Sequence, residues 1–263
     1  MKIEKIYYVL AAVTVAIYSC TKEIDVNLND AAPTIVIEGV VTNQPGPYRV
    51  TITKTVNFSA KNDFPAVSGA TVQITDSTDS VTETLIETSP GIYTTNTLQG
   101  IAGHTYQLYV LAEGKVYTAS STMPSQVPLD SMTFERNLFF GETDINAEVH
   151  FQDPAGITNY YTFSERIGGE KSDWTHVFDD RLSDGRYVSV QLWEDSIEVG
   201  NIVTVEMNCV DQQVYNYFNT LAQATGGDNF NAVTPSNPVS NISNNPLGYF
   251  SAQTVQNITK TVE

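Results

Sequence analysis

Short strand patterns separated by turn residues recur along this chain, and they limit its fold more than any other feature. In Tyr48–Val56 the side chains alternate, with Val50, Ile52 and Val56 on one face and threonines on the other. The β-branched run Thr34–Thr42 precedes it, and the turn-forming sequence NQPGP separates the two. Alternation with one apolar face is typical of half-buried strands, so these runs predict a β-hairpin.

Further strand patterns follow at residues 70–75, 82–87, 91–96, 105–112 and 115–122. About seven short strands within roughly ninety residues are typical of a sandwich. We therefore expect residues 33–123 to form an immunoglobulin-like or transthyretin-like β-sandwich. Residues 123–129 (MPSQVPL) contain two prolines and no periodic pattern, which predicts a domain boundary there.

Residues 129–263 predict a second β-rich block with one amphipathic helix. Strand patterns occur at residues 131–136, 145–152, 160–167, 187–193, 201–208 and 247–262, and polar loops are predicted at 168–172, 179–185 and 228–246. A helix is predicted at residues 211–224, because apolar side chains from Val210 to Leu221 fall on one stripe. Asp211 is suited to cap its start, and Gly226-Gly227 to end it.

The N-terminus has the layout of a secretory signal. Lys2 and Lys5 precede an apolar run at residues 6–17, and Ser19 comes directly before Cys20. The run is shorter than the ~20 residues of a transmembrane helix, and a buried strand would explain neither the lysines nor the cysteine. We expect residues 1–19 to be a signal peptide, Cys20 to be lipidated, and residues 20–32 to form a tether.

Charge and cysteine content exclude some classes of protein. The formal net charge is −17, and so acidic a surface repels nucleic-acid phosphates and disfavours a basic membrane-surface helix. Two cysteines are present. With Cys20 lipidated, Cys209 has no partner, and we expect a buried structural thiol rather than a nucleophile.

No pattern in the sequence predicts a catalytic site, a metal or a cofactor. The three histidines lack metal-ligand spacing, and nucleophile-elbow, phosphate-loop and CxxC motifs are missing. The acidic stretch with Asp179, Asp180 and Asp184 suggests calcium, but it lacks the alternating ligand spacing of a calcium loop, which favours a solvated turn. Trp174 lies between two charged loops. These four residues are the candidates for contact with a ligand or partner.

Four sequence pieces occur in an order that resembles a known family. They are residues 43–48 (NQPGPY), 65–70 (PAVSGA), 151–161 (FQDPAGITNYY) and 247–251 (LGYFS). Together they resemble the Bacteroidota lipoprotein family catalogued as domain of unknown function 4249. The resemblance implies an outer-membrane lipoprotein, often encoded beside a TonB-dependent receptor. The family has no established catalytic residues, so the resemblance implies no active site.

These observations predict a lipoprotein anchored through Cys20 in the outer membrane and exposed at the cell surface. We expect a non-enzymatic accessory or substrate-capture component that works with a TonB-dependent receptor. Two alternatives remain open at this point. One is a surface hydrolase acting on a polymer, and the other is a purely structural envelope protein without a ligand.

Overall fold

The computed structural model describes residues 32–57, 63–139, 142–193, 197–225 and 237–263. These ranges contain fifteen strands and one helix, which confirms the mainly β fold with a single helix. The predicted signal peptide and Cys20 lie outside the described residues. The elements are β1 Ile35–Thr42, β2 Arg49–Lys54, β3 Thr71–Asp76, β4 Val81–Thr84, β5 Ile86–Ser89, β6 Ile92–Thr94, β7 Thr105–Ala112, β8 Lys115–Thr122, β9 Leu129–Phe139, β10 Glu142–Gln152, β11 Tyr160–Ile167, β12 Glu170–Asp179, β13 Tyr187–Leu192, β14 Ile202–Val210, α1 Gln212–Ala224 and β15 Leu247–Thr261.

An eight-stranded sheet runs through the molecule in the order β12-β11-β14-β15-β1-β2-β6-β5. β1 pairs antiparallel with β2, with Ile37 opposite Ile52, as the hairpin prediction requires. On its other side β1 pairs parallel with β15, so the first and last described strands are neighbours. Local sequence patterns could not predict that pairing, because the two strands are far apart in the chain.

One end of this sheet packs against the four-stranded sheet β4-β3-β7-β8. Ile37, Ile52 and Tyr93 from the large sheet join Ile74 and Leu108 from the smaller one in a single buried cluster. These residues occupy alternate strand positions, so each strand turns one face inward. The result is a sandwich-like arrangement of two sheets, and Phe250 and Ala252 of β15 also belong to its core.

The other end packs against the three-stranded sheet β13-β10-β9. Tyr161, Phe163 and Met207 from the large sheet meet Phe151 and Leu192 in a second buried cluster. Phe151 and Tyr161 are in ring contact at 4.9 Å between centroids. Each core is therefore built between the large sheet and one small sheet.

The large sheet connects the two cores. Phe250 of β15 lies in the first core, whereas Ile258 of the same strand packs against the second. Between the cores, Met123 is buried in the first and Val127 in the second. Residues 33–263 form one compact unit. The division into blocks 33–123 and 129–263 stays a prediction, and β15, which lies within residues 129–263, contributes side chains to both cores.

α1 agrees with the helix predicted from the apolar stripe. The Asp211 side chain accepts a hydrogen bond from the Val214 amide at 2.9 Å, so it caps the helix as expected. The predicted Gly226-Gly227 stop lies outside the described residues. No helical segment in the described ranges is long and apolar enough to span a membrane.

β12 was missed by the sequence reasoning. Residues 168–172 were predicted as a loop, but β12 begins at Glu170 and Gly168-Gly169 make the turn before it. β12 forms an edge of the large sheet. An edge strand that faces solvent can carry charged residues without apolar alternation, so the usual pattern is not seen here.

Candidate functional site

The large sheet turns a polar face away from the two cores. On β15, Phe250 and Ala252 point into the first core, so Tyr249, Ser251 and Gln253 lie on the opposite face. The same alternation puts polar side chains of β11 and β14 on that face. One face of the large sheet therefore packs on the apolar cores, and the other face carries polar side chains.

A concave site of about 440 Å³ lies on this outer face, and we call it the outer-face groove. This volume is in the range of small-molecule sites. Strands β1, β11, β12, β14 and β15 and helix α1 all contribute side chains. Those used below are Ser164, Lys171, Thr175, Glu206, Asn208, Phe218, Tyr249 and Gln253.

Hydrogen bonds hold several polar side chains of the groove in place. The Asn208 amide donates to Glu206 Oε1 at 3.3 Å and to Thr162 Oγ1 at 3.4 Å. Ser251 donates to Gln253 Oε1 at 2.7 Å. Because these groups stand on sheet strands, their positions are fixed by backbone pairing. Asn208 Oδ1 is buried and accepts no hydrogen bond from any residue that the structure describes.

Aromatic rings from α1 and β15 form one wall of the groove. The Phe218 ring meets the Tyr249 ring edge-on at 4.9 Å between centroids, and Tyr217 contacts Tyr249 at 4.8 Å. Burial raises the pKa of the Tyr249 hydroxyl, and the nearby Glu38 carboxylate raises it further. The wall is therefore neutral at physiological pH.

A second concavity of about 410 Å³ adjoins the groove across β1 and β2. It shares Val40, Thr42 and Tyr249 with the groove and adds Glu38 and Arg49. A ligand longer than the groove could extend along this side of the sheet. The outer face is thus a continuous polar surface over at least five strands.

Trp174, a predicted contact residue, lies on β12 rather than between loops. Its side chain is 45% exposed, and the adjacent Thr175 lines the outer-face groove. Trp174 therefore lies on the edge strand, next in sequence to a residue of the groove, but it is not among the described residues that line the groove. Such a position suits contact with another molecule.

The predicted acidic residues are separated by the fold. Asp179 ends β12 and accepts hydrogen bonds from the Tyr215 hydroxyl at 2.6 Å and from Arg181 Nε at 2.7 Å. Burial alone would raise the pKa of Asp179, but these bonds outweigh it and hold the pKa below its usual value. Asp179 thus ties β12 to α1.

Asp180 and Asp184 instead meet Asp153, which the sequence reasoning did not select as a site residue. One carboxylate oxygen from each lies within 4.8 Å of the others. We call these three residues the carboxylate cluster. Asp153 lies in the sequence FQDPAG, which belongs to one of the four pieces that resemble the family. That resemblance was the sequence signal that could have pointed to Asp153.

Backbone and hydroxyl donors surround the carboxylate cluster. Asp153 accepts from the Tyr161 hydroxyl at 2.5 Å and from the Gly185 amide at 3.2 Å. Asp180 accepts from the Asn159 amide at 2.8 Å. Burial raises the pKa of the Asp180 carboxyl, and the charges of Asp153 and Asp184 raise it further.

Cys209 and two of the histidines, His104 and His150, have structural surroundings. Cys209 is buried in the second core, and burial raises the pKa of its thiol, so it lacks the thiolate character of a nucleophile. His104 Nδ1 lies 2.8 Å from Asp76 Oδ2. His150 lies 2.8 Å from both Thr133 Oγ1 and Ser189 Oγ.

Comparison with known proteins identifies a family without an assigned function. The family described as Domain of unknown function (DUF4249) matches residues 21–259, so the chain belongs to it. No curated protein matches the chain.

Proposed function

We propose that this member of the DUF4249 family is an envelope lipoprotein that captures a ligand in its outer-face groove. The groove carries the proposal, because it combines fixed polar groups with an aromatic wall on a rigid sheet. Recognition sites with these components bind small molecules. Capture, rather than turnover, is the proposed activity.

The composition of the groove indicates the chemistry of its ligand. Hydroxyl and amide side chains predominate, and the described lining includes one carboxylate, Glu206, and one ammonium, Lys171. Phe218 and Tyr249 offer apolar ring surface beside these polar groups. A mostly neutral ligand with several hydroxyl or amide groups, such as a glycan or a short peptide, fits this combination.

The proposed location is the outer membrane, with a lipid anchor at Cys20. The signal-like N-terminus and Cys20 support a lipid-anchored protein of a Bacteroidota outer membrane. Replacing Cys20 with Ala and fractionating the cells tests this part. The proposal expects the variant to leave the membrane fraction, and wild-type retention would overturn the lipid anchor.

A TonB-dependent receptor is the proposed partner. Capture at the surface is useful to an uptake system only if the ligand is passed onward, and Trp174 offers a half-exposed aromatic ring on the edge strand of the large sheet. The test is to extract the tagged full-length chain in detergent and identify co-purifying proteins by mass spectrometry. Enrichment of such a receptor supports the partnership, and its absence under gentle extraction contradicts it.

A surface hydrolase is the alternative from another class. Glycoside hydrolysis needs two carboxylates facing each other across the bound sugar. Glu206 lines the groove, whereas Glu38 lines the adjoining concavity. Products released from an added polysaccharide, and lost with Glu206→Gln, would favour the hydrolase over capture.

A further inference from the structure

The carboxylate cluster joins two turns at one end of the second core. Asp153 follows β10, and Asp180 and Asp184 lie between β12 and β13. The turns also touch directly, since a Cβ at Gly185 would lie 2.7 Å from the Ala155 Cβ. The three carboxylates thus approach one another from two separate connections.

The negative charges of the carboxylate cluster lie close together, and two of the three side chains are buried. Asp153 is 1% exposed and Asp180 is 3% exposed. Among the described residues, no Lys, Arg or His nitrogen forms an ion pair with any of the three carboxylates, and Arg181 pairs with Asp179 instead. Like charges held close together in a buried place repel each other, and a cation bound between them would offset that repulsion.

The side-chain oxygen of the neighbouring residue Asn159 has no hydrogen-bond donor among the described residues. Asn159 is 8% exposed, and its Oδ1 is buried without a partner. The backbone amide of the same residue donates to Asp180 Oδ2, which places the Asn159 backbone beside the cluster. Ser183 Oγ, in the turn between Asp180 and Asp184, is also buried with no partner among the described residues. Buried polar atoms normally have a partner, and a water molecule or an ion bound from outside the chain would supply one.

We propose that the carboxylate cluster, with the Asn159 side-chain oxygen, binds Ca²⁺. Calcium takes six to eight oxygen ligands at about 2.3–2.6 Å, so two ligands on opposite sides of the ion lie roughly 5 Å apart. One oxygen from each of the three carboxylates lies within 4.8 Å of the others, close enough for all three to contact one such ion. The proposed ligand atoms are all oxygens, which suits calcium rather than zinc.

The acidic stretch 179–185 alone does not have the spacing of a linear calcium loop. Asp153, Asp180 and Asp184 come from two connections, so the ligand set is assembled by the fold. Bound Ca²⁺ would fix both turns and the end of β12. This inference is independent of the outer-face groove, because no residue of the carboxylate cluster lines the groove.

The test compares melting temperatures and calcium binding for the full chain after treatment with EDTA. We expect about 5 mM CaCl₂ to raise the melting temperature by at least ~3 °C, and MgCl₂ to raise it less. Titration calorimetry with CaCl₂ should detect one site. An unchanged melting temperature together with no binding heat overturns the proposal.

Two matched variants distinguish calcium binding at the carboxylate cluster from nonspecific binding to an acidic protein surface. Asp184→Asn removes an exposed member of the cluster and should weaken calcium binding by about tenfold or more, with the melting shift lost. In EDTA the same variant should melt at or above the wild-type temperature, because repulsion is reduced. Asp173→Asn, an exposed change on β12, should bind as wild type does. Equal calcium responses from the two variants would overturn the proposal.

Discussion

Gly248 on β15 lies directly opposite Ile37 on β1, and a Cβ at Gly248 would lie 2.0 Å from the Ile37 carbonyl oxygen. Gly248 also has φ +91°, a conformation that other residues rarely adopt. The parallel pair that connects the two cores therefore depends on the absence of a side chain at this position.

Gly248→Ala should reduce the free energy of unfolding by more than about 3 kcal/mol, because the strands must separate to admit the methyl group. Gly114→Ala is the matched control, since Gly114 also has positive φ but no atom near its would-be Cβ. It should cost only about 1–2 kcal/mol of backbone strain. Urea unfolding measures both, and equal losses would contradict the close approach.

Asp211 connects α1 to strand β8. Its side chain caps the helix through Val214, and its second oxygen accepts the Ser121 hydroxyl at 2.6 Å. Asp211→Ala should cost about 2 kcal/mol, the sum of a lost cap and a lost hydrogen bond. Gln212→Ala, an exposed change in the first turn of α1, should be nearly neutral. Urea unfolding would contradict this account if the two variants lost similar stability.

His104 and Asp76 predict a window of pH in which their pairing stabilises the fold. The hydrogen bond to Asp76 raises the pKa of His104 above its ordinary value of 6.5. Burial would raise the pKa of Asp76, but bonds from His104, Asp79 and Thr78 outweigh it and hold the pKa below 3.8. The charged pair is thus favoured in the folded state.

The direction of each pH effect follows from these shifts. The His104 contribution is complete below about pH 6.5 and is lost as pH rises through the raised pKa. The Asp76 contribution is complete above about pH 4 and is lost as pH falls through the lowered pKa. Urea unfolding of wild type and His104→Gln should differ most between these limits. A difference that does not shrink toward pH 8 would contradict the pairing.

Trp174 is expected to serve binding more than folding. Trp174→Ala should lower the free energy of unfolding by only about 1 kcal/mol, since the ring is half exposed, but weaken receptor association by about 2 kcal/mol. Trp193→Ala is the matched control, because Trp193 is 51% exposed and lies beyond β13. Thermal melting and co-purification measure the two effects. A large loss of stability with Trp174→Ala would show a core role.

Much of the fold could be predicted from periodicity. The predicted positions are correct for the strands at residues 105–112 and 115–122 and for the helix near residues 211–224. Each of these elements has a local hydrophobic pattern that matches its burial in the fold, and the helix also has a capping residue. β12 could not be predicted, since its charged residues do not alternate with apolar ones. The β1–β15 pairing depends on contacts between distant segments, which local patterns do not encode.

The candidate sites were predicted less completely, for the same physical reason. Asp180 and Asp184 were selected as acidic neighbours, whereas Asp153 joins them only because two connections meet in space. The outer-face groove uses serine, threonine and asparagine residues that look like ordinary exposed strand positions. Their grouping depends on the order of strands in the large sheet.

The most direct test of capture measures what the outer-face groove holds. Ser164→Trp places a large ring in the groove, and Asn137→Trp places the same ring on an exposed position of β9 as the control. Each tagged full-length chain is purified from envelopes, checked by thermal melting and denatured, and the released small molecules are identified by mass spectrometry. We expect wild type and Asn137→Trp to release a hydroxyl-rich or amide-rich compound that Ser164→Trp does not. Equal release from all three chains, or no released compound from wild type, would contradict capture by the groove.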